Sequence, residues 1–266
     1  MLKIGDFGVC NLSVVPVRAE ASDASEIVTQ LLFGDFVKIL EKPAYAEASA
    51  GYREPWIKIK FEKDNYEGWM DFKQLTYLIE REYEDGIATR HLVLSEPILE
   101  LDGPKGIQNL MLGSNLPFLR DGKIQLGDET YIVLAPINFT LKPNIFDIAE
   151  IYMNTPYFWG GKSIFGIDCS GFVQICFKVC GIDLPRNASE QVKVGQEIKF
   201  ENRQSGDLVF FINVKGIVHH VGLLTSPNEI IHAAGRVRKD KLDENGIFNS
   251  DLEKYTHQVY GVRRLS

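Results

Sequence analysis

The sequence is poor in cysteine, in net positive charge and in long apolar runs. Four cysteines occur in 266 residues, too few for a disulfide scaffold, so free thiols and a reducing compartment are expected. Lysine and arginine total 29 against 36 aspartate and glutamate, a net charge of −7, which argues against nucleic acid and anionic lipid as partners. The longest strongly apolar stretch, 130–141, is shorter than the roughly 20 residues that span a bilayer.

The start of the chain lacks the pattern of a secretory signal. Asp6 interrupts it, and no apolar core of about 7–15 residues precedes a cleavage site of small residues. We therefore expect a cytoplasmic protein without a membrane partner.

The composition is otherwise that of a folding chain. Hydrophobic residues make up 45% and charged residues 24%, near globular averages. The length exceeds the ~150-residue domain prior, so two or three compact units are expected.

Short strands dominate the first part of the chain. Strands are predicted at 12–17, 30–40 and 56–61, and in the last of these apolar and polar residues alternate. A small β-barrel over 1–80 is therefore predicted. Gln30-Leu31-Leu32-Phe33-Gly34 returns 79 residues later as Asn109-Leu110-Met111-Leu112-Gly113, which indicates a second barrel over 81–140. Two unrelated strand ends are the alternative.

Helices are predicted only after Pro143. Asn144 is expected to cap a helix over 145–153, and a second helix over 169–180 is expected to end at Gly181. Strands follow at 207–212, 218–225 and 229–233. The basic stretch 236–241 is predicted to be an exposed loop. This order makes 141–266 an α+β domain.

Cys169 has the position of a nucleophile. A loop with several glycines, 156–168, precedes it and a predicted helix begins at it. A helix N-terminus or a nearby imidazolium lowers the pKa of a thiol from about 8.5 to roughly 3.5–7.5. Cys176 and Cys180 lie on the same helical stripe and are expected in the core, and Cys10 is expected to be a strand residue. The cysteine spacing resembles no zinc knuckle, so neither a metal nor another cofactor is expected.

A cysteine nucleophile needs a base and a group that orients the base. His219 and His220 are neighbours on a predicted strand, so they point to opposite faces. His220 shares its face with Gly222, which leaves room beside it. His232, on the next strand, reaches that face only if the loop between the paired strands has an odd number of residues. Taken singly, each histidine is more often structural than catalytic.

Together these segments resemble, in order and spacing, the NlpC-type cell-wall peptidases. The motifs that carry the resemblance are Asp168-Cys169-Ser170-Gly171-Phe172-Val173-Gln174, Leu184-Pro185-Arg186, Gly206-Asp207-Leu208-Val209-Phe210-Phe211, His220-Val221-Gly222 and Ile231-His232-Ala233. The resemblance implies a papain-like α+β peptidase domain over 141–266. It makes Cys169 the nucleophile, His220 the base and His232 the orienting group. It also implies that Tyr157 helps to stabilise the oxyanion, although an anchoring role for this ring in its loop is an equal alternative.

The same resemblance implies a substrate. Such enzymes cleave peptidoglycan stem peptides between γ-D-glutamate and a diamino acid, and two preceding bacterial SH3-like barrels resemble members that act on free peptides in murein peptide recycling. Asp168 and Ser170, with Asp35 and Tyr66 from the first barrel, are implied to hold the amine of an N-terminal L-alanine. For Asp35 a solvated turn acid and for Tyr66 a packed surface ring are the alternatives.

Three points stay open at the level of sequence. Lysine and diaminopimelate are both candidates for the diamino acid. A non-catalytic protein that binds cell-wall peptides through its SH3-like barrels is the alternative function, and a lipid-processing acyltransferase of related fold is a more distant one. The oligomeric state has no signal in the sequence.

Overall fold

A computed structural model of the chain describes residues 6–41, 56–88, 92–137 and 143–265. Antiparallel strands dominate it, and helices are few. The chain divides into two units, 1–140 and 141–266. Each unit is described separately below.

The first half of unit 1 is a seven-stranded antiparallel sheet. Its strands are β1 (Phe7–Val9), β2 (Val14–Arg18), β3 (Ile27–Leu32), β4 (Phe36–Glu41), β5 (Trp56–Phe61), β6 (Glu67–Asp71) and β7 (Thr76–Leu78). Their order in the sheet is β3-β2-β6-β5-β4-β1-β7. In β5, Ile57 and Ile59 are fully buried, as the alternation of apolar and polar residues predicts. The strand predicted at 30–40 is wrong as a single element, because a turn with Gly34 at a φ of +78° separates β3 from β4.

The second half of unit 1 contains a helix and a smaller sheet. The elements are α1 (Glu80–Ala88), β8 (Leu92–Val93), β9 (Ile98–Gly103), β10 (Gly106–Met111), β11 (Asn115–Leu116), β12 (Lys123–Leu126) and β13 (Glu129–Val133). Four strands pair in the order β10-β9-β13-β12, and β11 pairs with β8. The sequence patterns did not predict α1, which is short, mostly exposed and carries a central glycine, Gly86.

The sequence echo has a structural counterpart. The Gly34 N–H donates to the Cys10 carbonyl at 2.8 Å, and the Gly113 N–H donates to the Leu94 carbonyl at 2.9 Å. Both glycines have a positive φ, +78° and +88°, which favours glycine over other residues. The same turn is therefore built twice. The division of unit 1 into two barrels, 1–80 and 81–140, stays a prediction.

Unit 2 consists of three short helices, a pair of short strands and a second seven-stranded sheet. Its helices are α2 (Ile145–Ile151), α3 (Cys169–Val179) and α4 (Ala188–Gln191). Its strands are β14 (Lys162–Ser163), β15 (Gly166–Ile167), β16 (Gln196–Ile198), β17 (Leu208–Ile212), β18 (Val218–Ser226), β19 (Glu229–Ala234), β20 (Arg236–Asp243), β21 (Gly246–Asn249) and β22 (Lys254–Arg264). The sheet order is β16-β22-β17-β18-β19-β20-β21, and β21 also pairs with β22. The six strands β17 to β22 therefore form a closed sheet.

Two predicted helices and one predicted loop can be compared with this unit. The Asn144 side chain accepts from the Phe146 N–H and caps α2. Helix α3 ends at Val179, with Cys180 as its C-cap residue and Gly181 at a φ of +85°, so both helix predictions are confirmed. The loop predicted at 236–241 is wrong: these residues lie in β20, where Val237, Arg238 and Asp240 are buried. The charges of Arg238 and Asp240 are compensated by ion pairs, Arg238 with both Asp240 and Asp251.

The core of unit 2 positions the site. Every residue of α3 is buried, and the helix packs on β18 and β19. Tyr152 meets Phe172 edge to face at 5.8 Å between ring centroids. Within the described part of the chain, no helix combines the length and the apolar character needed to cross a membrane.

Candidate active site

Asp168 fixes the start of α3 and so the position of Cys169. It is the N-cap residue, and its Oδ1 accepts the Gly171 N–H at 2.7 Å. Its Oδ2 accepts the Gly160 N–H at 2.9 Å, which ties the preceding loop to the helix. A side-chain cap satisfies a backbone donor that the helix itself leaves unpaired. Cys169 is therefore the first residue of a helix whose N-terminus is anchored on both sides.

Arg186 also holds the start of α3, through Asp168 and Ser170. Its guanidinium binds the Asp168 carboxylate through two atoms, Nη1 to Oδ1 at 3.0 Å and Nη2 to Oδ2 at 2.5 Å. Nη1 also donates to the Ser170 hydroxyl at 2.9 Å. Arg186 is only 2% exposed and Asp168 only 5%, so this is a buried ion pair. The carboxylate of Asp168 and the hydroxyl of Ser170 are engaged within unit 2, and their predicted contact with a substrate amine stays a prediction.

The two histidines named from the sequence share one face of the sheet. Gly222 on β18 pairs with His232 on β19, and His220 lies two residues from Gly222 on the same face. The register holds because a bulge after Leu224 leaves residues 225–229 between the paired Leu224 and Ile230. That number is odd, as the sequence argument required.

Contact between the rings is direct. His220 Nε2 lies 2.8 Å from His232 Nδ1, and both residues are buried. Gly222 makes this approach possible, since a Cβ there would lie 2.6 Å from Ile230 Cδ1 and 2.9 Å from His232 Cβ. Cys169 Sγ lies 3.9 Å from the His219 carbonyl oxygen, against the backbone that flanks His220. The structure therefore brings Cys169, β18 and His232 together.

The surroundings of Cys169 differ from the sequence expectation. Burial raises the pKa of its thiol to about 12, and the Asp168 carboxylate adds to the rise, against smaller opposing effects of the Val221 N–H, Arg186 and the Ser170 N–H. The expected low pKa is therefore wrong for the free enzyme. Desolvation disfavours the thiolate more than the helix N-terminus favours it.

The pKa of His220 is shifted downward, opposite to the pKa of Cys169. Burial lowers its pKa well below the usual 6.5, and the neighbouring His232, His257 and His219 lower it further. A buried imidazole surrounded by other imidazoles resists protonation. Burial therefore disfavours both charged forms, the thiolate of Cys169 and the imidazolium of His220.

Tyr157 lies beside the nucleophile. Burial raises the pKa of its phenol, and the proximity of Cys169 and Asp168 raises it further while Arg186 opposes the rise. Its backbone N–H donates to the Gly235 carbonyl at 2.9 Å, which fixes the loop. The phenol is therefore a protonated donor near the sulfur. Both readings of this residue from sequence, an oxyanion donor and a loop anchor, are compatible with this position.

Two residues near the histidine pair were missed by the sequence analysis. The carboxylate of Asp240 lies 3.0 Å from His232 Nε2. The ring of His257 lies 4.3 Å from that of His220, measured between centroids. No motif marks either position, and Asp240 lies in the stretch that was assigned to a loop.

The residues predicted from the first barrel have partners within unit 1. Asp35 is buried, its Oδ2 accepts the Leu32 N–H at 2.9 Å and its Oδ1 accepts from the Asn115 side chain at 2.9 Å. It is thus no solvated turn acid. Tyr66 is half-buried and packs against the core of the first sheet. Their role in substrate binding stays a prediction.

The remaining cysteines are not part of the site. Cys10, Cys169, Cys176 and Cys180 are all free thiols. Cys176 is fully buried in α3, as expected for a core residue, and Cys180 is partly exposed at the helix end. Across the described ranges, no three His, Cys, Asp or Glu side chains are grouped so that they could hold a metal ion.

Comparison with known proteins agrees with this geometry. Residues 154–259 match the model of the NlpC/P60 family, and residues 13–75 match that of the bacterial SH3 domain. A gamma-D-glutamyl-L-lysine dipeptidyl-peptidase of Bacillus cereus is 28% identical over 271 residues, which covers 91% of this chain and 76% of the relative. The Bacillus subtilis protein of that name is 29% identical over 223 residues, covering 78% of this chain and 72% of the relative.

A solved structure shows the same fold. The crystal structure of an NlpC/P60 family protein from Bacillus cereus superposes with a TM-score of 0.76, covers 97% of this chain and 99% of its own, and is 21% identical. The fold and the site together define a cysteine hydrolase. The chain carries an NlpC/P60 domain over 154–259, preceded by a bacterial SH3 domain over 13–75. The family resemblance inferred from the motifs is confirmed.

Proposed function

We propose that this protein is an endopeptidase that hydrolyses the bond between γ-D-glutamate and the diamino acid of free stem peptides with an N-terminal L-alanine. The observation that carries the proposal is the alignment of Cys169, at the start of α3, with the bonded pair His220 and His232. The names of the Bacillus relatives support the substrate class.

Acylation begins with proton transfer from the thiol. His220 uses Nε2 for His232, so Nδ1 is the nitrogen left to accept the Cys169 proton. Because burial disfavours the thiolate of Cys169, this transfer accompanies the attack of Sγ on the γ-carbonyl carbon of D-glutamate. The C–S bond forms, and the carbonyl π electrons move to oxygen. The Cys169 backbone N–H at the helix start and the Tyr157 phenol are the proposed donors to this oxyanion.

Collapse of the tetrahedral intermediate breaks the C–N bond. The proton held on His220 Nδ1 passes to the amine of the diamino acid, which leaves. A thioester between Cys169 and the dipeptide remains. Water then attacks the thioester carbonyl carbon while His220 takes a proton from the water. The C–S bond breaks, His220 returns the proton to the sulfur, L-alanyl-D-glutamate is released and the free thiol is regenerated.

The proposal also covers which peptides the enzyme accepts and the compartment in which it acts. Residues Asp168, Ser170, Asp35 and Tyr66 are proposed to recognise the N-terminal amine, which restricts the enzyme to released peptides and suits murein peptide recycling. The low cysteine content, four in 266 residues, fits the reducing cytoplasm that we propose as its location.

The test uses two tripeptides, L-Ala-γ-D-Glu-L-Lys and L-Ala-γ-D-Glu-diaminopimelate, with product release followed by chromatography. We expect the dipeptide and the free diamino acid from at least one of them, and no turnover by Cys169→Ala. N-Acetylation of the alanine should abolish cleavage if the amine is recognised. Equal turnover by wild type and Cys169→Ala contradicts the proposed chemistry, and cleavage of the acetylated peptide contradicts the restriction to free amines.

A further inference from the structure

A chain of polar contacts continues beyond the two histidines. The His232 ring uses Nδ1 for His220 at 2.8 Å and Nε2 for the Asp240 carboxylate at 3.0 Å. The three residues lie on consecutive strands, β18, β19 and β20, and run diagonally across one face: His232 pairs with Gly222 and Arg238, and Asp240 pairs with Ile230. The side chains of His232 and Asp240 are 1% and 0% exposed.

Asp240 is held as a carboxylate. Although burial raises its pKa, the hydrogen bonds from His232 and Arg238 and the charge of the Arg238 guanidinium lower it more, and the pKa lies below its usual value. Arg238 Nη2 donates to Oδ1 at 2.8 Å, and Nε lies 2.8 Å from Oδ2. The same guanidinium donates to Asp251 at 2.6 Å. A buried carboxylate needs such partners to stay charged.

We propose that Asp240 is a positioning residue that sets the tautomer of His232 and thereby keeps Nδ1 of His220 free to accept the proton of Cys169. The proposal rests on the proposed function for the roles of Cys169 and His220.

The protonation of each ring depends on that of its neighbour in this series of hydrogen bonds. An ionised carboxylate only accepts hydrogen bonds, so Nε2 of His232 carries a proton. A neutral His232 then has a bare Nδ1, which accepts the proton on Nε2 of His220. A neutral His220 with that proton on Nε2 has a bare Nδ1 in turn. Asp240 thus determines, through two rings, which nitrogen faces the thiol as a base.

Without the carboxylate the opposite arrangement becomes available. His232 can carry its proton on Nδ1 and donate to Nε2 of His220, which places the proton of His220 on Nδ1. That tautomer cannot accept from the thiol. A positioned general base typically contributes about 10²–10⁴ in rate, and we expect Asp240→Asn to remove roughly 10- to 100-fold of it, in kcat rather than in KM.

The direct test is nitrogen NMR of the protein labelled with 15N-histidine, which reports the protonated nitrogen of each ring. We expect the wild type to show His232 protonated on Nε2 and bare on Nδ1. Asp240→Asn is expected to lose this pattern. The control is Asp251→Asn, which also removes a partner of Arg238 but does not touch His232, and its spectrum should match the wild type.

A second readout needs no peptide substrate. The rate of Cys169 alkylation by iodoacetamide at neutral pH, corrected with Cys169→Ala for the other thiols, reports how well His220 accepts the proton. We expect this rate to fall roughly 10- to 100-fold in Asp240→Asn, in line with the loss of general-base assistance, and to stay near the wild-type value in Asp251→Asn.

The outcomes separate this inference from the proposed function. A wild-type spectrum with the His232 proton on Nδ1 overturns the inference even if Asp240→Asn does not fold. So does a folded Asp240→Asn protein with wild-type tautomers and wild-type alkylation, or an equal loss in Asp251→Asn. The expected spectra and alkylation rates without cleavage of either tripeptide would support the inference and overturn only the proposed substrate.

Discussion

Nε2 of His220 and Nδ1 of His232 are 2.8 Å apart, within hydrogen-bond distance. This contact depends on the register of the β18–β19 hairpin. The bulge after Leu224 places His232 on the face of His220, and a hairpin without it would turn His232 to the other face. A single extra residue in a turn therefore decides whether the base has an orienting partner.

Gly222→Ala tests the close packing that this contact requires. The new methyl would meet Ile230 Cδ1 at 2.6 Å and His232 Cβ at 2.9 Å, so one of these side chains must shift. Because near-attack geometry is sensitive to displacements of about 1 Å, we expect kcat/KM to fall about 10²-fold. Steady-state kinetics on the tripeptide measures it.

The matched control for this variant is Gly261→Ala. Gly261 lies in β22 of the same sheet, and a Cβ there would meet nothing within 4 Å. We expect activity near the wild-type value. An equal loss in both variants would mean that alanine damages the sheet in general and not the histidine pair.

The pH profile of kcat/KM should extend far to the acid side. His220 accepts a proton only when neutral, and burial together with His232, His257 and His219 lowers its pKa well below 6.5. Since protonation of the base requires a pH below that pKa, activity should hold as the pH falls through 6.5 and decline only at more acidic values. The free thiol, with its pKa of about 12, should give no loss on the alkaline side near neutrality. A half-maximal activity at pH 6.5 or above contradicts this environment.

The free energy of unfolding should also fall at acid pH, and His257 should contribute to this fall. Burial and the neighbouring His232 and His219 lower its pKa to about 4. Its unfolded value is about 6.5, so between these values the unfolded chain binds more protons than the folded one. The free energy of unfolding therefore falls as the pH drops from about 6.5 to about 4.

Urea denaturation at several pH values checks this, with His257→Gln as the comparison. The variant should show a shallower decline over that window, because it lacks one of the groups that gain a proton on unfolding. The same slope in both proteins would show that His257 titrates normally in the folded state.

Asp168→Asn should destabilise unit 2 as well as slow the enzyme. The variant leaves the guanidinium of Arg186, 2% exposed, without its charged partner. Loss of one member of a buried ion pair typically costs about 3–5 kcal/mol. The double variant Asp168→Asn with Arg186→Met removes the stranded charge and should recover part of the loss in denaturation experiments. If the double variant is less stable than the single one by a further full increment, the two residues do not act as a pair.

Tyr157→Phe tests the phenol near the sulfur. Removal of one oxyanion donor typically costs about 10²–10³ in kcat, and KM should change little. Tyr152→Phe is the control, since the Tyr152 hydroxyl is buried and has no hydrogen-bond partner among the residues the structure describes. A Tyr157→Phe enzyme with full kcat and lowered thermal stability would favour the loop-anchor role instead.

The parts of the fold that the sequence predicted are those set by local pattern. The cap at Asn144, the end of α3 at Gly181 and the alternation in β5 depend on residues within one or two turns of each other. The misassigned elements depend on distant partners. The stretch 236–241 has the composition of a loop, yet Arg238 pairs with Asp240 and Asp251, which permits the two charged residues Arg238 and Asp240 to be buried within a strand.

The features of the site fall into the same two groups, those set by residue type and those set by the folded surroundings. The order of Cys169, His220 and His232 along the chain was enough to name the nucleophile, the base and its partner as candidates, because the chemistry of those side chains is a property of residue type. The pKa of the thiol was misjudged because it depends on desolvation, which is not a property of the local sequence.

The sequence by itself determined which side chains are available for the chemistry and where α2 and α3 begin. Only the tertiary structure decided that burial raises the pKa of the thiol, that Asp168 is paired with Arg186, and that Asp240 and His257 lie next to the histidine pair. Helix caps and alternation are set by short-range hydrogen bonding and burial, whereas ionisation and tautomers are set by which charges the folded chain brings within a few ångströms of each other.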